Sequence, residues 1–150
     1  HEVMNTAPTD GLDIEDGRTT PERLRDLEAY FASRGTERWT AYVRERATGV
    51  LVGYTEVYWE PLNPETLGQG DTAVRIPFRG HGLGKWLKAA MLQRVLAERP
   101  VAKRVRTSNA SSNDAMLGIN VELGFRPYQA TSVWQVEVAE VLERLGGGAI

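Results

Sequence analysis

The chain has 150 residues, enough for one domain around a single sizeable core, with 41% hydrophobic and 25% charged residues as in ordinary soluble globular chains. A net charge of -2 argues against a general nucleic-acid binder, and no run is apolar and long enough to suggest a membrane span or a signal peptide. The lack of cysteine removes disulfides, thiolate metal sites and a cysteine nucleophile, and suits a reducing, cytoplasmic location; with only His1 and His81, a histidine-rich metal site is also excluded and no metal is expected.

The chain starts at His1 rather than at a methionine and reads as a domain cut from something longer, or as carrying a tag remnant. Residues 1–20 are turn-rich, punctuated by Pro8, Asp10, Gly11 and Gly17. Thr20 and Pro21 are N-cap and first residue of a helix whose Leu24, Leu27 and Phe31 share a face and which Gly35 ends. Two strand-like runs, Thr40–Arg46 and Val50–Trp59, joined by Ala47-Thr48-Gly49, read as a hairpin. Asp71–Ile76 is a third strand, stopped by Pro77. A glycine stretch follows, and from Leu83 apolar residues recur at 83, 86, 87, 90, 91 and 95, which predicts a helix ended by Pro100 with Trp86, Leu87 and Met91 in the core. Val101–Thr107 reads as a short strand with Arg104 and Arg106 on a solvated face. A helix runs from about Ser112 to Leu123, with Gly124 at its C′ position; Thr131–Val138 alternates like a strand, and the tail Leu145–Ile150 looks frayed. An antiparallel hairpin followed by a strand–helix–strand crossover makes a mixed sheet of the α/β or α+β class, as one domain over residues 1–150.

The stretch Arg79-Gly80-His81-Gly82-Leu83-Gly84-Lys85 carries the functional signal. Glycines between a strand and a helix let an anion approach the unpaired N–H groups and positive dipole end of the helix. Arg79, Lys85 and Lys88 add positive charge. A P-loop fails, because Trp86 follows Lys85 and Arg79 stands at the first glycine; a dinucleotide fingerprint fails, because Lys85 stands at its last position. A connecting turn would need fewer glycines.

The order Arg-x-x-Gly-x-Gly, with "TAVRIPFRGHGLG" before it and "NASSNDAMLGINVELGFRP" after it, resembles the GNAT superfamily of N-acetyltransferases over roughly Val50–Val138. The wording is most similar to actinobacterial tandem-domain, mycothiol synthase-like members. That resemblance implies a GNAT-type mixed, mostly antiparallel sheet flanked by helices, with the family's first strand and most of its first helix missing upstream of His1. It also implies acetyl-CoA: strand backbone at Thr72, Ala73 and Val74 for the pantetheine arm, Arg79, Gly80, His81, Gly82, Leu83, Gly84 and Lys85 around the pyrophosphate, and Asn113 meeting the cofactor from the later helix. Asn113 also reads as a simple helix-start residue, and His81 is given no chemistry of its own.

Two positions depart from the family. Gly68 stands where many members carry a base glutamate, and Asn120 where many carry a tyrosine that reprotonates the leaving thiolate. Asn113, Met116 and Asn120 share a helical face, so Asn120 is expected to face the thiol, where it can donate a hydrogen bond. Glu56, on one face with Val52, Tyr54 and Tyr58, is the candidate base; its other reading is a charge that protects an edge strand. Asp71 and Glu60 are lesser candidates. The expected activity is direct acetyl transfer from acetyl-CoA to a primary amine of a small molecule. The alternative is a non-catalytic cofactor-binding or interaction domain, with a second GNAT domain or a second copy as its partner.

Overall fold

Helix α1 (Pro21–Ser33) begins where the sequence places it: the Thr20 side chain accepts the Arg23 N–H at 3.2 Å and Pro21 opens the first turn. The computed structural model describes residues 20–146; the turn-rich reading of the residues before Thr20 and the last four residues of the tail lie outside them. Gly35, at φ 68°, turns the chain into strand β1 (Glu37–Arg44), which pairs antiparallel with β2 (Leu51–Trp59). Strand β3 (Thr66–Val74) pairs antiparallel with β2, and β4 (Arg104–Arg106) pairs parallel with β3. The sheet order is β1-β2-β3-β4, a mixed and mostly antiparallel sheet as expected. Helix α2 (Leu83–Glu98) makes the crossover between β3 and β4, α3 (Asp114–Glu122) follows β4, and α4 (Val138–Arg144) comes last.

Alternation along β2 sorts its two faces. Val57 joins Leu67 of β3 and Met91 and Val95 of α2 in the core, with Trp39, Trp59 and Val105 packed around them. On the other face, Tyr58 stacks tilted on Phe31 of α1, ring centroids 5.0 Å apart. Gly53 leaves room for the helix: a Cβ there would lie 3.3 Å from Leu87 and 3.0 Å from the Ala73 carbonyl.

Several expectations are corrected. Strand β3 starts at Thr66, not Asp71, because Gly68 and Gly70 hide a strand behind poor strand propensity. Gly70 is needed there, since its Cβ would sit 2.5 Å from Cε2 of Tyr58. Strand β1 begins at Glu37 rather than Thr40, β4 shrinks to three residues, and α3 begins at Asp114 rather than about Ser112, with Asn113 as its cap. Trp86 is 58% exposed, whereas the buried stripe of α2 is Leu87, Lys88, Met91 and Val95. The alternating Thr131–Val138 is not a strand. Among the described residues the sheet ends at β4, no ladder takes up this segment, and Trp134 is 92% exposed.

Candidate functional site

The three glycines serve two purposes. Gly80 and Gly82 adopt φ of 80° and 73°, the left-handed region that side chains resist. Gly82 is the N-cap of α2, and the first bond into that helix runs from the Trp86 N–H to the Gly82 carbonyl at 3.0 Å. The N–H groups of Leu83, Gly84 and Lys85 precede it and have no acceptor within the helix. A Cβ on Gly80 or Gly82 would meet nothing within 4 Å, so hydrogen there keeps the space before the helix clear. Gly84 instead permits packing: its Cβ would lie 3.3 Å from Ile119 Cδ1 of α3. Arg79 Nε donates to the Val74 carbonyl at 2.9 Å and ties the loop to the end of β3, while Lys85 bonds Glu122 at 2.7 Å across α2 and α3. His81 is exposed.

The loop opens onto a cleft of about 510 Å³. Tyr54 and Asp71–Val74 form one wall, Phe78–Gly80 and Gly82–Lys85 a second, and Asn113, Ala115, Met116, Ile119 and Glu122 of the α3 region a third. The cleft exists because β3 and β4 part. They pair only from Thr66/Arg104 to Gly68/Arg106, while β3 continues to Val74. Beyond Gly68 that edge of β3 has no β4 partner, and its last four residues, Asp71–Val74, line the cleft. Thr72 turns its hydroxyl to Thr55 at 2.7 Å, and Asn113 caps α3 by accepting the Met116 N–H at 3.2 Å.

A bulge sets the polar groups beside this cleft. Thr55 pairs with Thr72 and Val57 with Gln69, so Gly70 and Asp71 together oppose Glu56. Bulges of this kind re-aim side chains, and Asp71 lines the cleft with the Tyr54 hydroxyl 3.5 Å away. Asp71 is exposed to solvent, but partial desolvation at the cleft wall raises its carboxyl above the ordinary range, and the Glu56 charge adds to the shift. Burial also raises the hydroxyls of Tyr54 and Tyr58, so both stay protonated near neutral pH. Glu56 is 2% exposed on a central strand, not an edge, and its oxygens accept from Arg38 at 2.5 Å and from the Tyr58 hydroxyl at 2.8 Å. It does not line the cleft, and Glu60 is exposed.

Asn120 is buried and likewise stands off the cleft lining. Its Oδ1 accepts from Lys88 Nζ at 2.6 Å and its Nδ2 donates to Asn109 Oδ1 at 2.7 Å. Lys88, expected among the loop cations, turns inward and is 1% exposed. Its inward turn was readable from its spacing, three residues before Met91 and four after Gly84, but its charge argued the other way. Among the described residues no group of three or more His, Cys, Asp or Glu could hold a metal ion, and no helix is long and apolar enough to cross a membrane.

No protein-family model and no curated protein matches the chain. Solved structures do. The chain is similar to a tandem GNAT protein from the clavulanic acid biosynthesis pathway at 39% identity and TM-score 0.69, over 71% of this chain and 33% of that one; it thus spans about a third of that protein's length. It superimposes on an acetyltransferase of Trypanosoma brucei at 19% identity and TM-score 0.60, covering 82% of this chain and 84% of the other. It also matches AAC(6')-Iy in complex with a CoA-containing bisubstrate analogue, at 18% identity and TM-score 0.57, again over 82% and 84%.

Proposed function

The chain has the GNAT-type α/β fold, and from that premise we propose that it binds acetyl-CoA in the cleft and transfers the acetyl group to a primary amine of a small molecule. One observation carries this reading: two left-handed glycines before a helix and an unpaired strand edge border the same cleft. The first suits a pyrophosphate and the second an amide-bearing arm. The N–H groups from Gly80 through Lys85, His81 included, would hold the pyrophosphate, with positive charge from Arg79 and Lys85. Thr72, Ala73 and Val74 would hold the arm, and Asn113 would border it from α3.

Acetyl-CoA supplies an activated thioester whose acyl group can pass to nitrogen as its sulfur departs. Without cysteine the chain cannot hold the acyl group on a thiol, so the amine attacks directly. Two carboxylates line the cleft; Glu122 is paired with Lys85, which leaves Asp71, whose raised pKa makes it a better base for the amine proton than an ordinary aspartate. Glu56, held by Arg38 and Tyr58, contributes its charge behind Asp71. Asn120 has no direct part in this step: it stands off the cleft lining with its amide locked between Lys88 and Asn109.

A second reading, a non-catalytic acetyl-CoA-binding domain working beside another GNAT domain or a second copy, is favoured by one feature. No hydroxyl stands at Asn120, and its amide is already engaged. Calorimetric titration with acetyl-CoA, then turnover with a panel of small amines, separates the two. Binding with turnover supports the enzyme, and binding without turnover on any amine supports the second reading. Gly82→Asp is the control. Its side chain would enter the cleared space and repel a phosphate at a backbone cost of about 1–2 kcal/mol. Unchanged affinity in that variant would overturn the loop assignment.

A further inference from the structure

Lys88 is a buried cation for which the reading above has no use. It lies one turn along α2 from Gly84, on the stripe with Leu87 and Met91, and is 1% exposed. Among the described residues every partner it has is neutral: Asn120 Oδ1 at 2.6 Å, Met116 Sδ at 4.0 Å and the Phe125 ring at 5.1 Å. Of the charged groups on the elements around it, Asp114 of α3 is exposed and the others bond elsewhere. Lys85 pairs with Glu122, Glu56 with Arg38 and Tyr58, and Asp71 with the Tyr54 hydroxyl. An ammonium buried without a counterion is costly and normally exchanged for an apolar residue. Met116 is the connection, since it touches Lys88 and also lines the cleft.

We propose that Lys88 is a positioning residue of the cleft: its ammonium orients the Asn120 and Asn109 amides and supplies a buried positive charge that an anionic occupant of the cleft balances. The orientation follows from donor and acceptor chemistry. An ammonium only donates, so it takes Asn120 Oδ1, which turns Asn120 Nδ2 toward Asn109 Oδ1. The charge follows from linkage. Burial pulls the empty protein's Lys88 down to about 8. An anion in the cleft favours the protonated form and raises that value, so binding takes up protons where Lys88 is part-titrated.

The proposal rests on acetyl-CoA as the anion, and its test separates the two ideas. Acetyl-CoA is titrated into the parent protein by calorimetry, near pH 8 and about two units lower, in buffers of different ionisation enthalpy. Expected is net proton uptake of a fraction of a proton near pH 8; about two units lower Lys88 already holds its proton and contributes none, and the exchange seen there belongs to other groups, the ligand's 3′-phosphate among them. Lys88→Met should bind roughly tenfold more weakly and lose the uptake near pH 8, and Lys88→Arg should recover affinity without that uptake. Binding by the parent with no buffer-dependent enthalpy near pH 8 overturns the role of Lys88 and leaves the acetyl-CoA reading standing. Absence of binding overturns both. The parent titration decides the point even if a variant fails to fold.

Discussion

At the scale of single residues, Asp71 is the sharpest test of chemistry. A base must be deprotonated to act, and partial desolvation together with the Glu56 charge raises the Asp71 carboxyl. The acid limb of kcat/KM should therefore lie above the ordinary aspartate value of about 4. Asp71→Asn keeps the shape and the Tyr54 contact but cannot take a proton. It should lower kcat by about 10²–10⁴ and remove that limb, with acetyl-CoA affinity within a few-fold of the parent. Glu56→Gln should move the limb toward lower pH, because it withdraws a negative charge that raises Asp71. If Asp71→Asn turns over at the parental rate with the same pH profile, the base lies elsewhere. Neither carboxylate has a free choice of role: Glu56 spends both oxygens on Arg38 and Tyr58, while Asp71 keeps contact with the cleft.

At the scale of elements, the bulge in β3 aims Asp71, and Gly70 permits the bulge. A Cβ at Gly70 would stand 2.5 Å from Tyr58 Cε2 and 3.3 Å from Glu56 Cβ. The Tyr58 ring cannot swing freely, since it packs on Phe31 at 5.0 Å and its hydroxyl is bonded to Glu56. Gly70→Ala should therefore destabilise by about 1–3 kcal/mol, seen as a Tm lower by several degrees, and should reduce turnover more than cofactor binding. A melt identical to the parent's would show that the ring relaxes freely. This same glycine explains what the sequence conceals. Caps, the glycine loop and the α2 crossover are legible because each rests on local chemistry: Thr20 and Pro21, the left-handed Gly80 and Gly82, the apolar spacing of Leu87, Met91 and Val95. The first half of β3 is not, because Gly70 answers to a tyrosine on a neighbouring strand and Gly68 beside it lowers the strand propensity further. Register across strands also decides that Asp71 rather than Glu56 reaches the cleft, and no local pattern encodes the bulge. Thr131–Val138 errs the other way: its alternation is real, but a strand also needs a neighbour to bond.

At the scale of the whole molecule, the apolar surface is uneven. Tyr128, Trp134, Val138, Leu142 and Leu145 are all more than half exposed beyond α3, whereas the core between sheet and α2 holds Val57, Leu67, Leu87, Met91 and Val95 at 3% exposure or less. Folding stability must come chiefly from that sheet–helix layer, and it contains Lys88. The folded-state value of Lys88 lies near 8, against 10.5 for a free lysine. Between these values the unfolded chain holds more protons than the folded one, so stability rises with pH. Below pH 8 the burial penalty is felt in full, at roughly 3 kcal/mol, and it is relieved as pH climbs toward 10.5. Lys88→Met removes the titration but also orphans Asn120 Oδ1, at about 1–3 kcal/mol. The two effects oppose each other near neutral pH, so the Tm there is a poor witness. The slope is a good one: denaturant unfolding should show the parent gaining stability between pH 8 and 10 relative to Lys88→Met. Parallel curves over that range would mean that Lys88 keeps its proton in the folded state as a free lysine does, because it reaches water. A parent that gains stability with pH, and binds acetyl-CoA with proton uptake near pH 8, would show one buried charge that costs stability in the empty fold and is balanced when the cleft is filled.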